Sequence, residues 1–165
     1  MVRFIYIGWS GYGRITSSLS KKIKSGHGRY DLVIGIARGG VPLAMAVADQ
    51  LNARMDIINI KSYKGMVRQR PKILSTLSND ARGKRVLVVD DLVDSGGTMK
   101  TVMKYLEKKG CSEIKTAALF KKPWSKFEPD FYLKKVDQWV IFPWERGEAK
   151  RTLAKGNMLN TCLLG

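Results

Sequence analysis

One stretch of nine residues combines three acids with a run of glycine and hydroxyl side chains. Its members are Asp90, Asp91, Leu92, Val93, Asp94, Ser95, Gly96, Gly97 and Thr98. The last four precede a segment that is typical of a helix, so their backbone N–H groups would lie at a helix N-terminus, where the dipole favours a phosphate. The two glycines allow close approach of the backbone, and the hydroxyls of Ser95 and Thr98 add donors. These residue types predict a phosphate-binding turn.

The acids before this turn suit a sugar or a cation. Asp90 and Asp91 end an apolar run, 86–89, that is typical of a buried parallel strand. Their carboxylates can accept hydrogen bonds from sugar hydroxyls or hold a divalent cation through oxygen. Asp94 stands next to the turn, where it can face a reacting carbon or a leaving group. The alternative is a helix N-cap at Asp94 or Ser95 with incidental acids; three acids beside a phosphate turn argue against it.

These side chains need elements that bring several loops to one edge of a sheet. Short apolar runs alternate with amphipathic segments, which predicts an α/β fold, an open parallel sheet flanked by helices on both faces. Ligands bind such sheets beyond the carboxyl ends of the strands. The predicted strands are 3–8, 32–36, 55–60, 86–89, 114–120 and 138–142, and the predicted helices are 16–24, 41–51, 97–109 and 150–155.

A second turn, Ala37-Arg38-Gly39-Gly40, follows the predicted strand 32–36. The guanidinium of Arg38 offers a forked donor for a polyphosphate, and the glycines leave their N–H groups accessible. Taken alone, the turn is more typical of an ordinary connection between a strand and a helix.

The segment 86–98, VLVVDDLVDSGGT, resembles the phosphoribosyl pyrophosphate (PRPP) signature of the type I phosphoribosyltransferases. The resemblance implies that Asp90 and Asp91 bind the ribose hydroxyls of PRPP, with Asp91 at a magnesium ion. It implies that residues 94–98 hold the 5′-phosphate. It also implies that Arg38 and Gly39 belong to the pyrophosphate loop, with a non-proline cis peptide between them.

The segment 61–85 has few large apolar residues and carries eight Lys or Arg against one Asp, a net charge of +7. We predict a long irregular loop, which inside a compact domain is usually functional or mobile. It is similar to the mobile catalytic loop of the family, in which a basic segment closes over the anionic PRPP. The resemblance implies that Arg70 contacts PRPP, although Arg68 is an equally good match.

Two later segments, 120–123 (FKKP) and 137–145 (DQWVIFPWE), resemble the base-binding parts of the 6-oxopurine branch. This branch includes the xanthine-guanine and hypoxanthine enzymes. The resemblance implies that Lys122, before a proline, contacts the purine O6, while Trp139 stacks on the base and Val140 reads its 2-position. It places Asp94 near the purine N7 as a proton acceptor or donor. Lys121 is an alternative to Lys122, and Trp139 is also typical of a core residue on a strand.

Composition bounds the remaining possibilities. The chain has 165 residues, enough for one domain, and 44% are hydrophobic, which excludes a disordered chain. No apolar run is long enough for a membrane helix, and we expect no signal peptide. Two cysteines, Cys111 and Cys162, form no disulfide framework, so a cytoplasmic location is expected. The net charge of +16 favours anionic ligands, including nucleic acid.

We therefore expect one domain over 1–165, with a core at about 25–122 and a small base-binding hood from about 1–15 and 123–165. The expected function is magnesium-dependent purine salvage, with PRPP and a 6-oxopurine as substrates, in a homodimer or homotetramer. The alternatives are a PRPP-sensing regulator on the same fold that binds nucleic acid, and a phosphoribosyltransferase for adenine or a pyrimidine.

Overall fold

The computed structural model describes residues 3–26, 28–64 and 67–154, except for the side chains of 62–64, 67–70 and 152–154. Strands and helices alternate along most of the chain. The strands are β1 (Phe4–Tyr6), β2 (Leu32–Ala37), β3 (Arg54–Lys64), β4 (Val67–Ile73), β5 (Arg85–Val93), β6 (Glu113–Lys121), β7 (Phe131–Lys135) and β8 (Trp139–Ile141). The helices are α1 (Trp9–Ser25), α2 (Gly40–Leu51), α3 (Gly97–Lys108), a 3-10 turn (Pro143–Glu145) and α4 (Arg146–Ala154).

The main sheet has six strands in the order β4-β3-β2-β5-β6-β7. Its inner pairs are parallel, and only the β3–β4 edge is antiparallel. Strand β1 pairs with β8 in a separate parallel two-stranded sheet. The expected α/β fold is confirmed, with an antiparallel hairpin added at one edge.

Alternation along β5 divides the apolar interior between the two faces of the sheet. Val86 and Val88 pack with α3, whereas Leu87 and Val89 pack with α1 and α2. All four are fully buried, as expected for a central strand whose two faces are both covered. The next two residues, Asp90 and Asp91, are still part of β5. The two acids therefore continue the alternation at the end of a rigid central strand.

The strand order reverses between β2 and β5. The chain leaves β2 through α2 to reach β3 on one side, and it leaves β5 through α3 to reach β6 on the other side. The ends of β2 and β5 therefore form a switch point, the place where open α/β sheets bind their ligands. Both α2 and α3 begin there, so two helix N-termini face the same cleft.

Several predicted elements differ from the observed ones. The first part of segment 61–85 belongs to the β3–β4 hairpin, so the prediction of an irregular loop is wrong there. Ile60 pairs with Ile73 across this hairpin, and both side chains pack on the interior beside α3, which favours paired strands despite the basic composition. Helix α1 begins seven residues earlier than predicted, at Trp9. Strand β7 was not predicted, because only Phe131 to Leu133 are apolar in it.

Among the described residues, no helix has the length and apolar character needed to cross a membrane.

Candidate active site

The switch point forms a cleft that is lined by residues between Ile36 and Glu148. Nine of the predicted site residues line it: Arg38, Gly39, Asp90, Asp91, Asp94, Ser95, Gly96, Thr98 and Val140. Gly97 begins α3 directly behind the turn. The cleft thus brings the acid pair and the adjoining phosphate turn together with the Arg38 turn (37–40), which lies about fifty residues earlier in the sequence.

The turn before α3 has the geometry of an anion cradle. Gly96 is the residue before the helix, and its φ of 83° lies in the left-handed region that favours glycine. A Cβ at Gly96 would also overlap the Phe127 side chain. Because Gly96 has no side chain, no residue at that position caps the first turn of α3. The Gly97 N–H donates to the Ser95 Oγ at 3.4 Å, and the N–H groups of the first turn of α3 suit an anionic ligand.

The turn before α2 is similar in kind. A cis peptide joins Ala37 to Arg38, one bond earlier than the predicted Arg38–Gly39 bond, so that prediction is corrected. Gly39 precedes α2, and a Cβ there would overlap the Asp91 carboxylate. The Arg38 side chain is 87% exposed and forms an ion pair with Glu148 of α4, with 3.1 Å between Nη2 and Oε2. A guanidinium therefore stands at the mouth of the cleft.

The acid pair has unusual electrostatics. Burial and the adjacent Asp91 charge raise the pKa of Asp90 well above its ordinary value. Burial and the charge of Glu145 raise the pKa of Asp91 to about 7. Burial raises the pKa of Glu145. The backbone N–H of Phe142 donates to its Oε2 at 3.0 Å and partly offsets this rise. The burial of Asp90 and Asp91 side by side favours the uptake of protons or of a neutralising cation.

One part of the cleft wall is aromatic. Phe142 and Trp144 line the cleft with Val140, and their rings are stacked with 5.0 Å between centroids. The Tyr12 ring of α1 packs edge-on against the Trp144 ring, with 4.9 Å between the ring centroids. A stacked apolar wall of this kind suits a flat heterocycle. Phe142 and Trp144 received no ligand role from the sequence, because each is equally typical of the end of a buried strand.

Among the predicted ligand residues whose side chains the structure describes, Gly97, Lys122 and Trp139 do not line the cleft. Lys122 is buried, and its Nζ donates to the carbonyl of Gln138. Trp139 is half-buried on β8, where its backbone N–H donates to the carbonyl of Arg3 at 2.8 Å. The side chain of Arg70 lies outside the described residues, although its backbone belongs to β4. The assigned roles of these residues stay predictions.

For PRPP, the substrate that the sequence resemblance implies, we predict that Gly39→Ala raises the KM by about 10-fold or more. The added methyl group would meet the Asp91 carboxylate, so one of the two turns has to move, and misplacement of this size is costly in an organised site. Initial rates at varied PRPP concentration measure the effect. Gly13→Ala on α1, where a Cβ meets nothing within 4 Å, is the matched control. An unchanged KM in Gly39→Ala would show that the two turns do not act on one ligand.

The fold and the cleft define a class of protein: an α/β protein with two helix N-termini and an acid pair at its switch point, suited to a phosphorylated sugar. A family model described as the phosphoribosyl transferase domain matches residues 10–150. The chain belongs to the phosphoribosyltransferase family. The resemblance to the type I enzymes, and within them to the 6-oxopurine branch, is confirmed.

Similar proteins agree over most of the chain. A xanthine-guanine phosphoribosyltransferase of Cereibacter sphaeroides is 31% identical over 150 residues, which cover 85% of this chain and 86% of that one. The crystal structure of a purine phosphoribosyltransferase from Pyrococcus horikoshii matches with a TM-score of 0.77 and 34% identity, covering 86% of this chain and 93% of that one. A xanthine-guanine-hypoxanthine phosphoribosyltransferase of Helicobacter pylori matches with a TM-score of 0.76 and 25% identity, covering 91% of this chain and 99% of that one.

Proposed function

We propose that this protein transfers the 5-phosphoribosyl group of PRPP to N9 of a 6-oxopurine and releases pyrophosphate. One observation carries the proposal: the phosphate turn, the acid pair and the Arg38 turn line the same cleft. The stacked rings of Phe142 and Trp144 line this cleft as well. The purine phosphoribosyltransferases among its relatives support the same reaction. The reaction is a phosphoribosyl transfer, and its metabolic role is purine salvage.

The cleft divides into three parts that match the three parts of PRPP. Residues 94–98 hold the 5′-phosphate on the N-terminus of α3. Asp90 and Asp91, at the end of β5, accept hydrogen bonds from the ribose 2′- and 3′-hydroxyls. Arg38, Gly39 and the N-terminus of α2 hold the pyrophosphate, and the expected PRPP contact of Arg70 lies outside the described side chains. Positioning these three groups on rigid elements supplies a large part of the rate.

A magnesium ion fits this cleft. Asp90 and Asp91 are desolvated carboxylates with raised pKa values, which a divalent cation would neutralise. No cluster of three or more His, Cys, Asp or Glu residues that could hold a metal occurs in the described part of the chain. Magnesium is commonly held by one or two carboxylates together with substrate phosphates and water. Asp91, with Asp90 beside it, would hold the ion, which would neutralise charge on the leaving pyrophosphate.

The chemistry is a displacement at C1 of the ribose. The purine N9 forms the new bond to C1 as the bond from C1 to the pyrophosphate oxygen breaks, and the leaving group keeps the electron pair. Positive charge grows on the ribose in the transition state, where the carboxylates of Asp90, Asp91 and Asp94 stabilise it. Asp94, beside the phosphate turn, accepts the proton that the purine loses from N7 as N9 bonds to C1, and it returns this proton in the reverse reaction.

The base lies against the aromatic wall of Phe142 and Trp144, next to Val140. Lys122 contacts O6 of the base. For this contact its ammonium must give up the hydrogen bond to the carbonyl of Gln138 and donate to O6 instead. Trp139 completes the stack from β8. These assignments favour a purine with an oxygen at position 6 over adenine, because an ammonium donates and cannot accept from an amino group.

Turnover with PRPP and magnesium, tested against xanthine, guanine, hypoxanthine, adenine, uracil and orotate, decides the proposal. We expect pyrophosphate release with at least one 6-oxopurine and none with orotate or uracil. Turnover of adenine alone would reassign the base. Absence of turnover with all six bases would contradict the proposal, and PRPP binding that persists would then favour the nucleic-acid-binding regulator that the +16 charge suggests.

We predict that Glu148→Gln lowers the KM for PRPP by about 2- to 5-fold. Glu148 holds the Arg38 guanidinium in an exposed ion pair, and an exposed pair contributes up to about 1 kcal/mol that the pyrophosphate must overcome. Initial rates at low salt measure the change, and the difference should shrink as salt screens the pair. Glu107→Gln on the exposed surface of α3 is the control. A higher KM in Glu148→Gln would show that Glu148 assists binding.

The division into a core at 25–122 and a hood from 1–15 and 123–165 is proposed on the same grounds. The β1–β8 sheet joins the two parts of the proposed hood. A homodimer or homotetramer and a cytoplasmic location stay predictions.

A further inference from the structure

We infer that Trp124 is a positioning residue that orients the Asp94 carboxylate toward the purine. The inference rests on the proposed function, because it assigns Trp124 a part in that reaction. The indole Nε1–H of Trp124 donates to Oδ1 of Asp94 at 2.7 Å. The two residues are thirty positions apart in sequence, and Trp124 follows the Lys122-Pro123 pair at the end of β6.

Burial does not explain the position of this indole. Trp124 is 57% exposed, so a purely apolar role would be poorly served by its place on the surface. Two polar contacts fix it instead. One is the hydrogen bond to Asp94, and the other is the ammonium of Lys122, whose Nζ lies 5.3 Å from the centroid of the Trp124 ring. The indole therefore bridges the two groups that are assigned to N7 and O6 of the base.

The backbone around Trp124 is hydrogen-bonded to the end of β5, the strand that immediately precedes Asp94. The N–H of Lys122 donates to the carbonyl of Val93 at 2.9 Å, and the N–H of Ser125 donates to the carbonyl of Lys122 at 3.0 Å. Val93 immediately precedes Asp94. The turn at 122–125 and the acid thus form one hydrogen-bonded unit across β5 and β6, which places the indole within reach of the carboxylate.

An aspartate carboxylate rotates readily about its last torsion, because that torsion has a broad energy profile. A hydrogen bond on one oxygen restricts the rotation. A carboxylate has about four lone-pair sites, so Asp94 can accept from the indole and from a purine N–H at the same time. The indole would therefore hold the acid in one orientation and stay in place when the base binds.

The test separates the N–H group from the shape of the ring. Trp124→Phe removes the donor and part of the ring, whereas replacement of Trp124 by β-(3-benzothienyl)alanine keeps the bicyclic shape and removes only the donor. We expect both changes to lower kcat with the 6-oxopurine by roughly 5- to 20-fold, the range of one hydrogen bond to a charged group at a solvent-accessible site. The KM for PRPP should stay within about 2-fold, because the 5′-phosphate is held mainly by backbone N–H groups at the start of α3, which the substitutions leave in place.

A double-mutant cycle with Asp94→Asn and an independent spectroscopic readout complete the experiment. If Trp124 acts through Asp94, Trp124→Phe should have little further effect in the Asp94→Asn background. The indole ¹⁵N–¹H resonance of Trp124, assigned by its loss in Trp124→Phe, should shift in Asp94→Ala without any substrate.

Full activity of the benzothienyl variant would overturn the inference, because ring shape alone would then suffice. A lower purine KM in Trp124→Phe with unchanged kcat would also overturn it, because the indole would then be occupying the place of the base. Wild-type protein that turns over no 6-oxopurine would contradict the proposed function and this role with it. Wild-type activity together with unaffected variants would contradict only the role of Trp124.

Discussion

Asp94→Asn is expected to lower kcat by about 10²- to 10⁴-fold, the usual contribution of a positioned acid or base. The substitution keeps the size of the side chain and an oxygen that can accept the Trp124 N–H. It removes the negative charge and the ability to take up a proton. Asp94 lines the cleft next to the phosphate turn, where N7 of the purine would lie.

Steady-state rates with saturating PRPP and purine measure this loss, and the KM for PRPP should change much less than kcat. Asp49→Asn is the matched control, because Asp49 is an exposed aspartate in the last turn of α2, far from the switch point. Wild-type kcat in Asp94→Asn would remove the acid from the reaction. A large rise in the KM for PRPP with unchanged kcat would assign Asp94 to PRPP binding alone.

The part of the site that the sequence predicts best is the part that is local in sequence. The acids, the turn and the start of α3 lie within a single strand-to-helix connection, and glycine at a positive φ can be inferred from residue type. The predicted strand nevertheless ends too early. Pairing of Asp90 with Ala118 of β6, and of Leu92 with Phe120, extends β5 through the acids. Tertiary pairing overrides the low strand propensity of aspartate.

The basic hairpin is a second case in which the sequence did not predict strand residues that the structure pairs. Lys61 and Lys72 lie directly opposite each other on β3 and β4, an unfavourable cross-strand pair that argues against strands when the sequence is considered alone. The observed pairing is held by Ile60 and Ile73 on the other face, which pack beside α3. Burial of two isoleucines outweighs the repulsion of two exposed ammonium groups in water.

Contributions from the last part of the chain could not be predicted from spacing. Trp124, Glu145 and Glu148 each belong to an unremarkable local sequence, and each reaches the site because a separate element returns to the switch point. The hydrogen bond of Trp124 to Asp94 depends on the alignment of β6 with β5. The ion pair of Glu148 with Arg38 depends on the place of α4. Such contacts are properties of the tertiary structure.

Asp91→Asn is expected to abolish PRPP turnover and to stabilise the ligand-free protein at neutral and alkaline pH. In the unfolded chain the carboxyl titrates near the ordinary value of 3.8, whereas burial and the charge of Glu145 raise its pKa in the folded protein to about 7. Between these two values the folded protein binds more protons than the unfolded chain. Stability therefore falls as the pH rises through this window, and the full cost is present above about pH 7.

An amide at position 91 carries no charge, so Asp91→Asn removes this cost. The pKa shift nominally corresponds to about 4 kcal/mol, of which on the order of 1–2 kcal/mol should remain in a cleft that solvent can enter. For a chain of this size we expect the midpoint of thermal unfolding to rise by roughly 2–6 °C at pH 8. Little change is expected at pH 4, where the folded carboxyl is protonated.

Thermal unfolding of both proteins between pH 4 and pH 8 measures the difference. Asp49→Asn again serves as the control, because loss of an exposed carboxylate from a chain of net charge +16 should add to its repulsion and confer no pH-dependent gain. Equal gains in both variants would attribute the effect to something other than the desolvated acid cluster. A loss of stability in Asp91→Asn at pH 8 would contradict the view that the desolvated Asp91 carboxylate destabilises the folded protein. A gain confined to Asp91→Asn and to high pH, together with lost turnover, would show that the cleft keeps a destabilising carboxylate because the reaction needs it.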